Sequence, residues 1–125
     1  MIYIDTHVAM WIFEGRPELL SNKAQELIES NAVYVSPMVR LELDYLYEIE
    51  RTRYSGQKVL DTLETDIDIR ICGLPLVEIA EKASKHRWTR DPFDRLMVAH
   101  AQAKGNKAFV TKDDSIRENY TYAVW

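Results

Sequence analysis

"AVYVSPMVRLELDYLYEIERTR" (residues 32–53) joins two kinds of structure in one line. "AVYVS" is a short apolar run and reads as a strand. Ser36 then supplies an N-cap oxygen, and Pro37 takes the first helical position, where its missing N–H costs nothing. A strand that feeds straight into a helix is the building unit of an α/β sheet. The helix carries Glu42, at spacings of four, three, four and seven from Met38, Tyr45, Leu46 and Ile49. That spacing predicts a carboxylate on a core-facing stripe. Such a group costs free energy unless it is paired or binds a cation. A salt bridge at the edge of the stripe, to a nearby arginine, is the plainer alternative.

The same alternation extends outward. Towards the start, "MIYID" reads as a buried strand ending in a carboxylate. "THVAMWIFEG" is a short helix stopped at Gly15, and "LSNKAQELIES" is a helix capped by Ser21 with Ala24, Leu27 and Ile28 on one face. Towards the end, "SGQKVLDTLETD" is a helix. "IDIRICG" alternates Ile67, Ile69 and Ile71 and predicts a third strand. "PLVEIAEKASKH" and "DPFDRLMVAHAQAKG" are helices, the latter ended by Gly105. "KAFVT" is a fourth strand, "KDDSIRENY" a short helix or turn, and "YAVW" a short terminal strand. Strands separated by helices imply right-handed crossovers. The predicted class is α/β, with a central, mostly parallel sheet covered on both faces. Ligand sites in such sheets lie beyond the carboxyl ends of the strands, near the switch in strand order.

The chain has 125 residues, enough for one domain spanning 1–125. Its net charge of −4 creates no global positive field, although a local basic patch can still bind nucleic acid. Cys72 is the only cysteine, which excludes an internal disulfide and suits a reducing cytosol. The start has no basic region of a signal peptide, and no apolar run approaches the roughly 20 residues of a membrane span. The expected setting is soluble and cytoplasmic.

Four carboxylates stand where the chemistry is expected. Asp5 ends the first strand. Asp113 follows the fourth after one residue, with Asp114 competing for its place. Asp94 shares a face with Met97, Val98 and Ala101 at three, four and seven residues. Each has a structural alternative: an N-cap for Asp5, a turn or cap for Asp113 and Asp114, and a capping-box partner for Asp94. Asp91 is read as the N-cap of its helix, with Pro92 at the first position. Because helices of a parallel sheet begin at the carboxyl edge of the strands, Asp5, Glu42, Asp94 and Asp113 can converge there. Like charges in one pocket repel. A hard divalent cation resolves the conflict, and oxygen ligands favour Mg²⁺ or Mn²⁺. Such an ion orients a phosphate and activates water, which suits phosphodiester hydrolysis.

"IDTHVAMWIF", "VSPMVRLELDYL", "RDPFDRLMVAHA" and "AFVTKDDSI", in this order and spacing, resemble the PIN domain, specifically the VapC-type toxins of toxin–antitoxin pairs. The resemblance covers nearly the whole chain. It implies a three-layer α/β/α sandwich, Mg²⁺- or Mn²⁺-dependent endoribonuclease activity on RNA, a small antitoxin partner and a homodimer. It places the family's acidic positions on Asp5, Glu42, Asp94 and Asp113. Asp5 and Asp94 are the expected metal ligands, with Glu42 and Asp113 completing the pocket or serving a second ion. Thr6, Ser36 and Thr111 fall on supporting hydroxyl positions, and "DPFDR" adds Asp91 as a further candidate.

Around Trp88, the stretch "KASKHRWTR" gathers Lys82, Lys85, Arg87 and Arg90, and Lys104, Lys107 and Lys112 lie near the next strand. A basic segment with an aromatic suits RNA; a solvated helix end is the alternative. His7 is close to Asp5 and reads as a packing or hydrogen-bonding residue. His86 and His100 have no assigned role. Trp11, Phe13, Tyr45 and Tyr47 read as core or interface. A receiver domain would need an acidic pair after the first strand and an aspartate ending the third, which is followed here by Gly73. An aspartate-nucleophile phosphatase would need Asp-x-Asp where the chain has Asp5-Thr6-His7. A catalytically silent PIN-like module that binds RNA or protein is disfavoured by the full acidic set.

Overall fold

The structure, a computed structural model, describes residues 1–125. Five strands form one parallel sheet: β1 (Ile2–Ile4), β2 (Val33–Val35), β3 (Arg70–Ile71), β4 (Phe109–Val110) and β5 (Ala123–Val124). Seven α-helices surround it: α1 (Thr6–Phe13), α2 (Asn22–Ser30), α3 (Pro37–Glu48), α4 (Gly56–Ile67), α5 (Leu76–Ala83), α6 (Pro92–Ala103) and α7 (Asp114–Asn119). A 3₁₀ turn at Pro17–Leu19 leads into α2. This is the expected three-layer α/β/α architecture with a central parallel sheet. No helix is long and apolar enough to cross a membrane.

The strand order is β3-β2-β1-β4-β5. The chain therefore builds one half of the sheet outward from β1, then returns to β1's other side for β4 and β5. The switch point lies between β1 and β4, where Tyr3 pairs with Phe109 and Ile4 with Val110. β1 is wholly buried because its residues are apolar on both faces. Its neighbours Val33, Val35, Phe109 and Val110 are buried with it, and Val8, Leu43, Leu63, Met97 and Val98 pack over them from the helices.

Caps set the helix starts as the side chains dictate. Ser21, Ser36, Ser55 and Asp91 each accept a hydrogen bond from an amide of the first turn. Gly15 and Gly105 follow the ends of α1 and α6 at φ of 65° and 95°, backbone that L side chains rarely adopt.

Two expectations need correction. The predicted strand "IDIRICG" is mostly something else. α4 continues through Ile67, and Asp68 closes it in the left-handed region at φ 53°. Only Arg70 and Ile71 pair with β2, as a sheet edge. Ile69 is buried while Ile71 is exposed, so the three isoleucines share no face. The stripe on α3 is also displaced. Val39 and Leu43 are its buried residues, while Tyr45 and Ile49 are 49% and 44% exposed. Glu42 thus lies on the flank of the core face, half-buried.

Candidate functional site

β1 ends at Ile4, and the next residue caps α1. Asp5 Oδ1 accepts from Thr6 N at 2.6 Å. Its Oδ2 accepts from the Thr111 hydroxyl at 2.5 Å, across 106 residues of sequence. Asp5 is buried at 7% exposure. Asp5 is thus the cap of α1 and is also tied to the end of β4 by the Thr111 hydroxyl. Thr111 also accepts from Asp113 N at 3.0 Å, so one hydroxyl ties the end of β1 to the loop after β4.

Asp113 caps α7 with Oδ1, which accepts from Ile116 N at 2.9 Å. Asp91 caps α6 with Oδ1, which accepts from Phe93 N at 2.8 Å and Asp94 N at 3.4 Å. Asp94 stands in the first turn of α6 and Glu42 near the middle of α3. Together with His7, Trp11 and Lys112, these five carboxylates line one open cavity of about 330 Å³ at the carboxyl edge of the sheet. Asp5, Glu42, Asp91, Asp94 and Asp113 are therefore brought together. Asp114 is not; its carboxylate lies 3.7 Å from Arg117.

None of the five is in a salt bridge, because the chain's ion pairs all lie elsewhere. The arginine pairing considered for Glu42 is absent, since Arg40 faces Asp44 at 3.7 Å instead. The charges feel one another. Burial pushes Asp94 up to about 8, and the Asp91, Asp5, Asp113 and Glu42 carboxylates each add to the shift. Burial also raises Glu42, with Asp5 and Asp91 adding and Thr6 and His7 opposing. Burial raises Asp5, opposed by the Thr111 hydrogen bond, His7 and the Thr6 amide. All three shifts have one direction: burial, with the neighbouring carboxylates adding to it, opposes ionisation of these groups.

The donor set suits a hard divalent ion, being all carboxylate oxygen on the acidic side. No three acidic, histidine or cysteine side chains form a ready ligand cage. Mg²⁺ takes one or two carboxylates directly and keeps several waters. Carboxylates spaced around an open cavity fit such a hydrated ion.

The supporting hydroxyls divide. Thr111 holds Asp5, and Thr6 lowers the cost of charge on Glu42 while its hydroxyl lies 3.5 Å from Met97 Sδ. Ser36 departs from expectation. Its oxygen accepts from Met38 N at 3.1 Å and meets His100 Nδ1 at 2.9 Å, so the α3 cap and a buried imidazole occupy it. His100 is a satisfied core residue, with burial lowering its pKa. Trp88 also departs: it packs against the core, and its indole donates to His86 Nδ1 at 3.2 Å. Its ring is half-buried. His7, expected as a packing or hydrogen-bonding residue close to Asp5, lines the cavity, and so does Trp11, expected only as core or interface. Their i, i+4 spacing places them on one face of α1, a signal present in the sequence beside Asp5.

Thr111→Val tests how much the tether matters. It leaves Asp5 Oδ2 buried without its donor, which costs about 1–3 kcal/mol. The expected results are a lower midpoint in thermal unfolding at neutral pH and a smaller deficit in acid, where Asp5 is protonated.

A parallel five-stranded α/β/α fold with an acidic cavity at its switch point defines a class of small acidic-site domains. The PIN domain family model matches residues 2–121, and the chain belongs to that family. The structure is similar to the crystal structure of VapBC2 from Rickettsia felis bound to a DNA fragment from their promoter. That match has a TM-score of 0.63 at 21% identity, over 94% of this chain and 92% of that one. It is also similar to a toxin–antitoxin complex from Klebsiella pneumoniae, with a TM-score of 0.68 at 19% identity, over 100% and 97% of the two chains. No curated protein is significantly similar in sequence.

Proposed function

We propose that this chain is a metal-dependent endoribonuclease, the VapC-type toxin of a toxin–antitoxin pair, acting as a single domain in the cytoplasm. The observation that carries this reading is the convergence of Asp5, Glu42, Asp91, Asp94 and Asp113 on one cavity whose wall holds a single lysine, Lys112, and no arginine. Mg²⁺ or Mn²⁺, when bound, neutralises this charge and activates water for attack on a phosphodiester. Asp5 and Asp94 are the residues to hold it, with Glu42 and Asp113 completing the pocket or serving a second ion.

The chain's own residues prepare the reaction. Thr111 and the Thr6 amide fix the Asp5 carboxylate in one orientation before any ligand arrives. Lys112, on the cavity wall, offers a cation to a non-bridging phosphate oxygen. Trp11 gives the otherwise polar lining an aromatic surface for a base. The two structural neighbours, toxin–antitoxin assemblies by their own description, support an antitoxin partner. The exposed Leu41, Tyr45, Tyr47 and Ile49 on and beside α3, and Leu76 and Val77 on α5, suit protein contacts of that kind and a homodimer.

The absence of a ready cage among the carboxylates favours a second reading, a silent PIN-like binding module. One assay separates the two. Purified chain incubated with single-stranded RNA is expected to cut in Mn²⁺ or Mg²⁺ and to stop on chelation or in Asp94→Asn. RNA that is bound but left intact with both ions would establish the silent module.

A further inference from the structure

The loop between α5 and α6 carries Arg87 and Arg90, which together with Arg95 on the first turns of α6 make three arginines that the acidic cavity does not use. Arg87, Arg90 and Arg95 line a second, smaller cavity of about 250 Å³ with Ser84. No carboxylate lines it, and none of the three guanidiniums is in a salt bridge. Holding three cations around one space costs free energy unless an anion sits among them.

The loop is pinned in this form. Trp88 Nε1 donates to His86 Nδ1 at 3.2 Å, so the His86 proton sits on Nε2 and is donated to Gln102 Oε1 on α6 at 3.0 Å. Burial lowers the pKa of His86 and keeps this neutral tautomer. Arg95 Nε donates to the Thr89 carbonyl at 2.8 Å, which orients its guanidinium and leaves the other nitrogens available.

Place in the fold suggests what the anion is. Arg90 immediately precedes Asp91, and Arg95 immediately follows Asp94. Both aspartates line the acidic cavity, so the two cavities flank the first turn of α6. A planar guanidinium fork matches the oxygens of a phosphate. We infer that Arg87, Arg90 and Arg95 form a phosphate-binding site for the RNA backbone, gripping a phosphate next along the strand from the one in the acidic cavity. This rests on the nuclease reading and adds a grip that carries no base information.

The test measures binding of a fluorescein-labelled single-stranded RNA by anisotropy across a salt series. Asp94→Asn chain, which binds without cutting, is compared with the same chain carrying Arg87→Gln and Arg90→Gln. Both arginines are exposed, and circular dichroism checks that the fold is kept. The expected result is at least about tenfold weaker binding near 0.1 M salt, with the slope of log K against log salt smaller by about 0.7 per lost phosphate contact. An unchanged affinity overturns the site, as does a weaker affinity with an unchanged slope. A polyglutamate peptide serves as the rival probe. If the substitutions weaken the peptide and leave RNA untouched, the arginines serve an acidic protein partner and the inference is wrong. If unsubstituted chain cuts RNA while the arginine variant binds normally, only the phosphate site falls. If no form binds or cuts RNA, the nuclease reading falls and takes the site with it.

Discussion

Asp5→Asn is expected to lower RNA cleavage by a factor on the order of 10³, because it removes a charge where several kcal/mol of cation-mediated stabilisation depend on it. The fold is expected to survive. Asparagine keeps a carbonyl oxygen for the Thr6 amide, in place of the present 2.6 Å bond. Its amide nitrogen then faces Thr111 and donates where Oδ2 used to accept, so the contact reverses direction instead of disappearing. Burial already works against the charge on Asp5, and the substitution removes that opposition. Single-turnover cleavage with enzyme in excess reads the chemistry, and a thermal melt reads the fold. Full activity in the variant would remove Asp5 from the site altogether.

The second large effect is on pH. The Asp94 carboxyl moves from an ordinary 3.8 to about 8 in the folded chain. Between those values the folded state holds a proton that the unfolded state has lost. Stability of the metal-free protein therefore falls as pH rises from about 4 to about 8, and levels off above that. The raised Asp5 and Glu42 carboxyls act in the same direction. Asp94→Asn removes the largest part of this loss. Because water reaches part of the side chain, the gain at pH 8 is on the order of 1–2 kcal/mol. That corresponds to an unfolding midpoint about 5 °C higher than in the unsubstituted chain. The difference is expected to shrink towards pH 4. Mn²⁺ should flatten the profile of the unsubstituted chain and leave the variant nearly unchanged. Parallel profiles for the two proteins, without cation, would mean that Asp94 titrates normally.

Residues 32–53 show why so much of the fold was readable. Ser36 and Pro37 act within a few residues of themselves, so strand, cap and helix follow from local chemistry. The same holds for Asp91 and Pro92 at α6. The acidic positions were readable because parallel strands deliver their ends, and the helices that follow, to one edge. What resisted reading depends on distant partners. Ile67, Ile69 and Ile71 alternate like a strand, but packing of Leu60 and Leu63 into the core carries α4 through Ile67 and leaves a short edge. Ser36 lost its expected role to His100, 64 residues away. Trp88 is half-buried against the core, a packing that no neighbour in sequence announces. Tyr45 and Ile49 match a buried stripe in period, yet the helix turns Val39 and Leu43 inward instead.

The hydrogen bond between Asp5 and Thr111 also sets a timetable. Chains emerge from the ribosome N-terminal end first, so β1 precedes every other strand of its sheet. Its place, however, is the middle of the sheet, between β2 and β4. The strand waits for one neighbour until β4 has been made, and Asp5 waits with it for its donor 106 residues downstream. A chain stalled between α6 and β4 holds Asp5, Glu42, Asp91 and Asp94 but neither Thr111 nor Asp113. Completion of the acidic cavity therefore waits for the segment that follows β4.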